Sequence, residues 1–141
     1  MIISVFSPVL PTEDRNKVVS AVTHFFEPAE AVYHQGMQQV TVKAGGEQAL
    51  EMIRNIVHSM RIIDAVRAAV LRNLIGLETR ILIDKQAAYY GKFRLLDDRE
   101  EEPSLGAIEI RMQFEHETEF ENFLKWFVPP TKDGKILQSK P

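Results

Sequence analysis

The chain has 141 residues, 45% of them hydrophobic and 26% charged, which is typical of one globular domain with its own core. It has no cysteine, so disulfides, thiolate nucleophiles and cysteine zinc sites are excluded. The net charge of −3 is unusual for a nucleic-acid-binding domain, and no apolar run approaches the roughly 20 residues that a transmembrane helix needs.

The beginning of the chain predicts a strand, a helix and a second strand. Residues 2–10 are rich in β-formers and predict the first strand. Thr12 is predicted to cap a helix, because acidic residues follow it where the helix dipole favours negative charge, and Pro28 is predicted to end that helix. Val40 and Val42 alternate with polar residues and predict a half-buried strand.

The middle of the chain predicts two helices, a strand and one helical turn. An apolar stripe over residues 50–60 indicates the second helix. Asp64 is predicted to cap a third helix, which Gly76 closes. Residues 79–83 predict a strand, and residues 85–90 predict a single helical turn before the next glycine.

The last third predicts two more strands and a helix. Residues 93–95 alternate between apolar and basic side chains, and residues 108–114 form the clearest amphipathic strand of the chain. Thr118 is predicted to cap a final helix, which ends at the proline pair 129–130.

This order of elements predicts an α+β fold, with helices packed on one face of a mostly antiparallel sheet. We expect a single α+β domain over residues 1–128 and a loosely ordered C-terminal tail over residues 129–141. No internal repeat or low-complexity segment interrupts the domain.

Four short phrases connect the chain to a known family. They are Pro11-Thr12-Glu13-Asp14, Lys85-Gln86-Ala87-Ala88, Leu105-Gly106-Ala107-Ile108, and Pro129-Pro130 with Lys132-Asp133-Gly134. Through them the chain resembles the uncharacterised protein family 0201 of archaea over nearly its whole length. The resemblance implies a fold similar to the large-subunit ribosomal protein that binds 5S ribosomal RNA, a homodimer, and RNA binding. It implies no particular site residues, so the candidates below rest on chemistry.

One candidate RNA-binding patch lies around the predicted turn of helix, and it comprises Lys85, Tyr89, Tyr90, Lys92 and Arg94. Basic side chains interleaved with aromatic rings suit nucleic acid, because cations neutralise phosphates and aromatic faces stack on bases. The alternative is a strand-turn-strand corner whose tyrosines cover the edge of the core with their hydroxyl groups at the surface.

A second basic row lies on the predicted second helix. Arg54, His58 and Arg61 share one helical face at spacings of i, i+4 and i+7, and Arg67 and Arg72 follow on the next helix. Such a row could meet a phosphate backbone without sequence preference, with Arg54 and Arg61 supporting the first patch. The alternative is a solvated helix flank with ion pairs.

Other features of the sequence predict no site. The acidic run at residues 97–102 lacks the spacing of a calcium loop and predicts a solvated loop. The Gly45-Gly46 pair predicts an ordinary turn. The four histidines have no metal-ligand spacing, and no catalytic motif is present, so we expect no metal, no cofactor and no enzymatic activity.

Trp126 is the candidate dimer contact. It lies on the shoulder of the last helix's apolar stripe, and tryptophan is enriched at protein interfaces. The alternative is that the proline pair or the tail covers it.

The sequence thus favours a cytoplasmic, non-enzymatic, dimeric protein that binds structured RNA, with no membrane association and no evident small-molecule substrate. The competing hypothesis is a dimeric protein-interaction scaffold that uses Trp126 and the exposed side of the sheet.

Overall fold

A five-stranded antiparallel sheet forms the centre of the fold. The structure is a computed structural model that describes residues 1–26, 30–45, 47–97, 105–132 and 135–136. The sheet strands are β1 (Ile2–Pro8), β2 (Ala31–His34), β3 (Gln39–Gly45), β4 (Glu78–Asp84) and β5 (Ala107–Gln113), and two further short strands are β6 (Thr131–Lys132) and β7 (Lys135–Ile136). The helices are α1 (Arg15–Thr23), α2 (Glu51–Ser59), α3 (Ile63–Arg72), α4 (Lys85–Tyr89) and α5 (Glu117–Phe127), with a 3-10 turn at Glu47–Leu50 before α2.

The strands lie in the order β2-β3-β1-β5-β4, and every neighbouring pair is antiparallel. Side chains alternate across the sheet with a period of two. On central strand β1, Ile3 and Val5 are therefore fully buried while Ile2 is 56% exposed. The alternation predicted for residues 108–114 is confirmed, because Ile108, Ile110 and Met112 of β5 also lie in the core.

Helices cover one face of the sheet, and the core lies between them and the sheet. Apolar residues of α1, α2, α3 and α5 join the strand residues in one buried cluster. The opposite face, here called the open face, carries half-exposed or exposed side chains in the described residues, among them Phe6, Val32, Thr41 and Arg111. The α+β class, with helices on one face of an antiparallel sheet, is therefore confirmed.

Two details of strand placement differ from the prediction. Strand β2 was not predicted, because it has only four residues and gains its stability from pairing with β3 rather than from a pattern of its own. Conversely, residues 93–95 form no strand of the sheet. Leu95 makes an isolated bridge to Ile83, and backbone hydrogen bonds from Asp84 to Arg94 and from Leu96 to Leu82 hold this segment against the edge of β4. Phe93 and Leu96 are buried in the core.

Three helix caps lie elsewhere than predicted. Asp14, not Thr12, caps α1, and its carboxylate accepts the backbone N–H of Asn16 at 2.8 Å. His116, not Thr118, caps α5 through its ring Nδ1. Helix α3 begins at Ile63 without a side-chain cap, so Asp64 lies inside its first turn. A capping side chain must precede the first turn, and the sequence placed these starts wrongly by two residues or less.

The described part of the C-terminal segment contains two short strands. Strands β6 and β7 pair as a small hairpin, and the Thr131 hydroxyl donates a hydrogen bond to Asp64 on α3. These residues belong to the predicted loose tail at 129–141, but residues 133–134 and 137–141 lie outside the described part of the chain, and the domain boundary at 128 stays a prediction. Pro28, Gly46 and the part of the acidic run that follows Asp97 also lie outside the described residues.

Candidate nucleic-acid interface

Lys85 begins α4, but its ammonium group is buried. The side chain has no exposed surface, and Nζ donates hydrogen bonds to Glu13 Oε1 at 2.8 Å and to the carbonyl oxygen of Pro8 at 2.7 Å. A buried ammonium with an internal carboxylate partner cannot reach an RNA phosphate on the surface. The structure thus contradicts the assignment of Lys85 to the RNA patch. The sequence alone predicts an exposed lysine at the start of a helix, because it does not show that Glu13 lies beside Lys85 in the fold.

Glu13 joins Lys85 to a second residue of α4. Its carboxylate accepts hydrogen bonds from the Tyr89 hydroxyl and, at 3.0 Å, from the backbone N–H of Leu10. Burial acts to raise the pKa of Glu13, but the hydrogen bonds from Lys85 and Tyr89 outweigh it and hold the pKa below its usual value. Burial and the neighbouring carboxylate raise the pKa of Tyr89, so its hydroxyl stays a donor. This buried cluster fixes α4 to the segment that precedes α1.

Tyr90 follows α4 and is 79% exposed. The next residue, Gly91, has a φ of +72°, which only glycine adopts readily, and a side chain there would lie 3.0 Å from Nε2 of His24. Gly91 therefore allows the loop after α4 to pass close to the end of α1. Lys92 and Arg94 lie beyond it with exposed side chains, and Arg94 approaches the Asp84 carboxylate at 3.7 Å.

A groove of about 460 Å³ runs between α1 and α4. It is here called the α1–α4 groove, and its lining residues are Lys17, Ser20, Ala21, Gln86, Tyr89, Tyr90 and Leu105. The groove thus brings Tyr89 and Tyr90 of the predicted patch together with Lys17, which the sequence reasoning missed. The sequence contained a signal for Lys17 as a site residue, because Lys17, Ser20 and His24 follow each other at i, i+3 and i+7 on the polar face of α1.

Arg54 does not point to solvent as the predicted basic row required. Its Nε donates to the carbonyl oxygen of Trp126 at 2.7 Å, and its guanidinium lies 5.2 Å from the centre of the Trp126 ring. Nearby, His58 Nε2 lies 2.8 Å from the carbonyl oxygen of Phe127, and Arg67 donates to that of Val128 at 2.8 Å. Basic side chains from α2 and α3 therefore satisfy three carbonyls at the C-terminal end of α5, where the helix dipole favours positive charge.

Arg61 is separated from this row by the end of its helix. Helix α2 ends at Ser59, and Arg61 has a φ of +58° in the link to α3, with its side chain exposed. The predicted helical spacing with Arg54 therefore does not hold at Arg61. Neither arginine lines the α1–α4 groove, so the structure does not bring the second basic row to the first patch.

Trp126 is half buried within its own chain. Its ring lies 6.2 Å from that of Phe127 with an angle of 26° between the planes, and Arg54 covers it. It packs against the core cluster as a partly buried member. Its assignment as a dimer contact stays a prediction, although much of the ring surface is already used inside the molecule.

The open face of the sheet holds a shallow hollow of about 550 Å³ beside strand β2. Its lining includes Phe6, Val32 and Met37, of which Val32 is 53% and Met37 70% exposed. The other half of this face is a network of ion pairs, in which Arg111 contacts Glu109 at 2.7 Å and Glu78 at 3.1 Å. The arginines there are paired with carboxylates, so this half offers an RNA backbone little net positive charge.

The described residues contain neither a metal-ligand cluster nor a membrane-spanning helix. No group of three or more histidine, aspartate or glutamate side chains in these residues is arranged to hold a metal ion. Within the same part of the chain, no helix combines the length and the apolar character needed to cross a bilayer.

Comparison with known proteins agrees with the geometry of the sheet and helices. A family model described as RNA binding matches residues 2–114. A UPF0201 protein of Aeropyrum pernix is 32% identical over 136 residues, which cover 94% of this chain and 88% of that protein. A UPF0201 protein of Metallosphaera sedula is 30% identical over 140 residues, which cover 99% of this chain and 95% of that protein.

Solved structures are similar over almost the whole chain. The crystal structure of an uncharacterised UPF0201 protein has a TM-score of 0.78 at 26% identity and covers 97% of this chain and 100% of its own. That of a UPF0201 protein from Methanococcus jannaschii has a TM-score of 0.79 at 24% identity, covering 98% and 100%, and shows likeness of the fold. The family resemblance seen in the four sequence phrases is confirmed, and the chain belongs to the UPF0201 family.

Proposed function

We propose that this protein is a non-enzymatic RNA-binding module that contacts RNA through the α1–α4 groove. The description of the matching family model supports RNA as the ligand, and the matched residues 2–114 include every residue that lines the groove. The location of the site is inferred from Tyr90, which is 79% exposed and lines the same groove as Lys17. Exposed aromatic rings near cationic side chains are common on surfaces that bind RNA.

The chemistry of the groove suits a short stretch of RNA. Lys17 is an exposed cation of α1 that lines the groove, and Lys92 is an exposed cation two residues after Tyr90, in the loop after α4. They would neutralise phosphates, while Tyr90 would stack on a base. With a net charge of −3, the chain carries no overall excess of basic residues, so we expect few phosphate contacts and modest affinity. The likeness to the 5S-binding ribosomal protein stays a prediction.

The test is a fluorescence-anisotropy titration with labelled structured RNA at several salt concentrations. Each phosphate contact contributes about 0.7 to 0.9 to the slope of log K against log salt. The wild type is expected to bind more weakly as salt rises, and the Lys17→Gln/Lys92→Gln variant is expected to have a slope smaller by roughly 1.4 to 1.8.

The matched control is Lys125→Gln, an exposed lysine of α5 that does not line the groove. Its affinity and its salt slope are expected to equal those of the wild type. If the wild type does not bind RNA at about 50 mM salt, the proposed function is wrong. If Lys125→Gln weakens binding as much as the double variant, the location of the site is wrong.

A second candidate function is a dimeric scaffold, which the uncovered sheet face favours. Exposed apolar side chains of β1, β2 and the β2–β3 turn lie on this face, namely Ile2, Val32 and Met37. Exposed apolar patches are typical of protein interfaces. If two copies meet through this face, Val32→Glu shifts the mass measured by light scattering toward the monomer and Trp126→Ala does not. An unchanged mass of Val32→Glu contradicts this candidate.

A further inference from the structure

We infer that the α1–α4 groove holds one unpaired nucleotide, with its base against the ring of Tyr90, and therefore takes single-stranded rather than duplex RNA. This inference rests on the proposed function and specifies the class of RNA. It follows from the size of the groove, from the different states of its two tyrosines, and from the polar groups that surround them.

The groove has the dimensions of a site for a small ligand. Its volume of about 460 Å³ lies within the range of roughly 300 to 1,000 Å³ that is common for pockets that take small molecules. A rigid duplex can cover such a groove, but it cannot place a base inside it, because paired bases are stacked on their neighbours. An unpaired nucleotide can turn its base outward and enter.

The two adjacent tyrosines are in different states. The Tyr89 hydroxyl is held by Glu13, which is itself held by buried Lys85, so Tyr89 forms a fixed part of the wall. Tyr90 is 79% exposed, and its ring is available to a ligand from the groove side and from solvent. An exposed aromatic ring beside a rigid wall offers a base a face on which to stack.

The remaining lining offers both hydrogen bonds and charge. Gln86 is exposed on α4, and its amide can donate to and accept from the edge of a base. Ser20 and Lys17 lie on the opposite wall, on successive turns of α1. Their hydroxyl and ammonium groups suit a ribose and a phosphate. The groove therefore presents complementary groups to each part of a single nucleotide.

The experiment compares two RNA probes with the full chain. One is a labelled 12-nucleotide RNA of mixed sequence without self-complementarity, and the other is the same strand annealed to its complement as a blunt duplex. The single strand is expected to bind about tenfold or more tightly than the duplex at equal salt, because only it offers a base for stacking.

Variants of Tyr90 test the stacking itself. Tyr90→Leu is expected to weaken binding of the single strand by about 5- to 150-fold, which is the range for loss of one stacked base. Tyr90→Phe is expected to bind within about twofold of the wild type, since the ring is retained. Because residue 90 is exposed, neither variant is expected to unfold the domain, and circular dichroism of both variants checks that they are folded.

The outcomes separate the inference from the function on which it rests. Tighter binding of the duplex, or equal affinity for both probes, overturns the inference and leaves RNA binding intact. Unchanged affinity of Tyr90→Leu for the single strand also overturns the inference. If neither probe binds at low salt, the inference is wrong, and the titration with structured RNA then decides the proposed function separately.

Discussion

At the scale of single residues, Glu13 links two parts of the chain that are far apart in sequence. It accepts a hydrogen bond from Lys85, 72 residues later, and from Tyr89, 76 residues later. Removing one partner of a buried ion pair leaves the other charge without compensation, which costs more than the pair contributes over an apolar replacement. Lys85 therefore acts in stability, and it contributes to the proposed RNA site only indirectly, through the wall formed by Tyr89.

The first prediction concerns Lys85. Lys85→Met is expected to lower the free energy of unfolding by about 3 to 5 kcal/mol, because Glu13 is left buried without its cation. Lys92→Met, at an exposed position of the same loop region, is expected to change it by less than about 0.5 kcal/mol. Urea denaturation followed by circular dichroism measures both. Equal stability of the two variants would show that the buried pair does not form.

The second prediction concerns acid. The hydrogen bonds to Glu13 hold its pKa in the folded state below the usual value of 4.5. A carboxylate of this kind stabilises the fold above its unfolded pKa, and that contribution is lost as pH falls through the folded pKa. The stability difference between the wild type and Glu13→Gln is therefore expected to be constant near neutrality and to shrink below about pH 4.5. A difference that stays the same from pH 7 to pH 3 would contradict this role.

The buried cluster also shows what could not be predicted at this scale. Sequence periodicity correctly indicated a helical turn at residues 85–90. It could not separate Lys85 from Tyr90, because both were predicted as members of the RNA-binding patch. Only the tertiary position of Glu13 distinguishes the buried Lys85 from the exposed Tyr90. A pattern of residue types contains no information about a partner more than 70 residues away.

At the scale of elements, helix α5 is anchored by side chains of α2 and α3. Arg54, His58 and Arg67 contact the carbonyl oxygens at its C-terminal end. Because a carbonyl only accepts, Nε2 of His58 must carry a proton in this arrangement. These contacts convert a predicted basic row into the connection between three helices, and they leave the side chains of Arg61 and Arg72 exposed.

The third prediction follows from this anchoring. Arg54→Ala is expected to lower the free energy of unfolding by about 1.5 to 3 kcal/mol, since a charge-assisted hydrogen bond and the stacking on Trp126 are lost. Its RNA affinity is expected to be that of the wild type. Arg61→Ala is the control and is expected to change stability by less than about 0.5 kcal/mol. Weaker RNA binding by a folded Arg54→Ala protein would return this arginine to the RNA surface.

Predictability of elements depended on their length and their surroundings. The strands at β4 and β5 and the four longer helices have clear periodic patterns, so their existence could be predicted. Strand β2 could not, because pairing with β3 rather than composition defines a four-residue edge strand. The caps at Asp14 and His116 were misplaced because several polar residues compete at each helix start.

At the scale of the whole molecule, the two faces of the sheet have different uses. One face is buried under helices, and α1 and α4 form the candidate groove on that helical side. The other face is uncovered, and it carries apolar side chains near β2 and paired charges near β4. RNA binding at the groove and self-association through the open face would use opposite sides of the domain, so both could occur together.

Charge at this scale was only partly informative. The net charge of −3 argued against nucleic acid, while the family that the sequence phrases identified argued for it. The structure leaves a smaller candidate site than the sequence predicts. Lys85 of the first patch and Arg54 of the second basic row contact groups inside the molecule. The groove itself was not predictable, since it requires α1 and α4 to pack side by side.

The most direct test of the central claim is a two-dimensional NMR titration of the isotope-labelled protein with the 12-nucleotide single-stranded RNA. Binding in the α1–α4 groove predicts amide shift changes concentrated at the polar face of α1, from Lys17 to His24, and from Gln86 to Lys92 in and after α4. The open face, including Phe6 and Arg111, is expected to stay unchanged. Shift changes confined to the open face, or no changes at all, would contradict RNA binding in this groove.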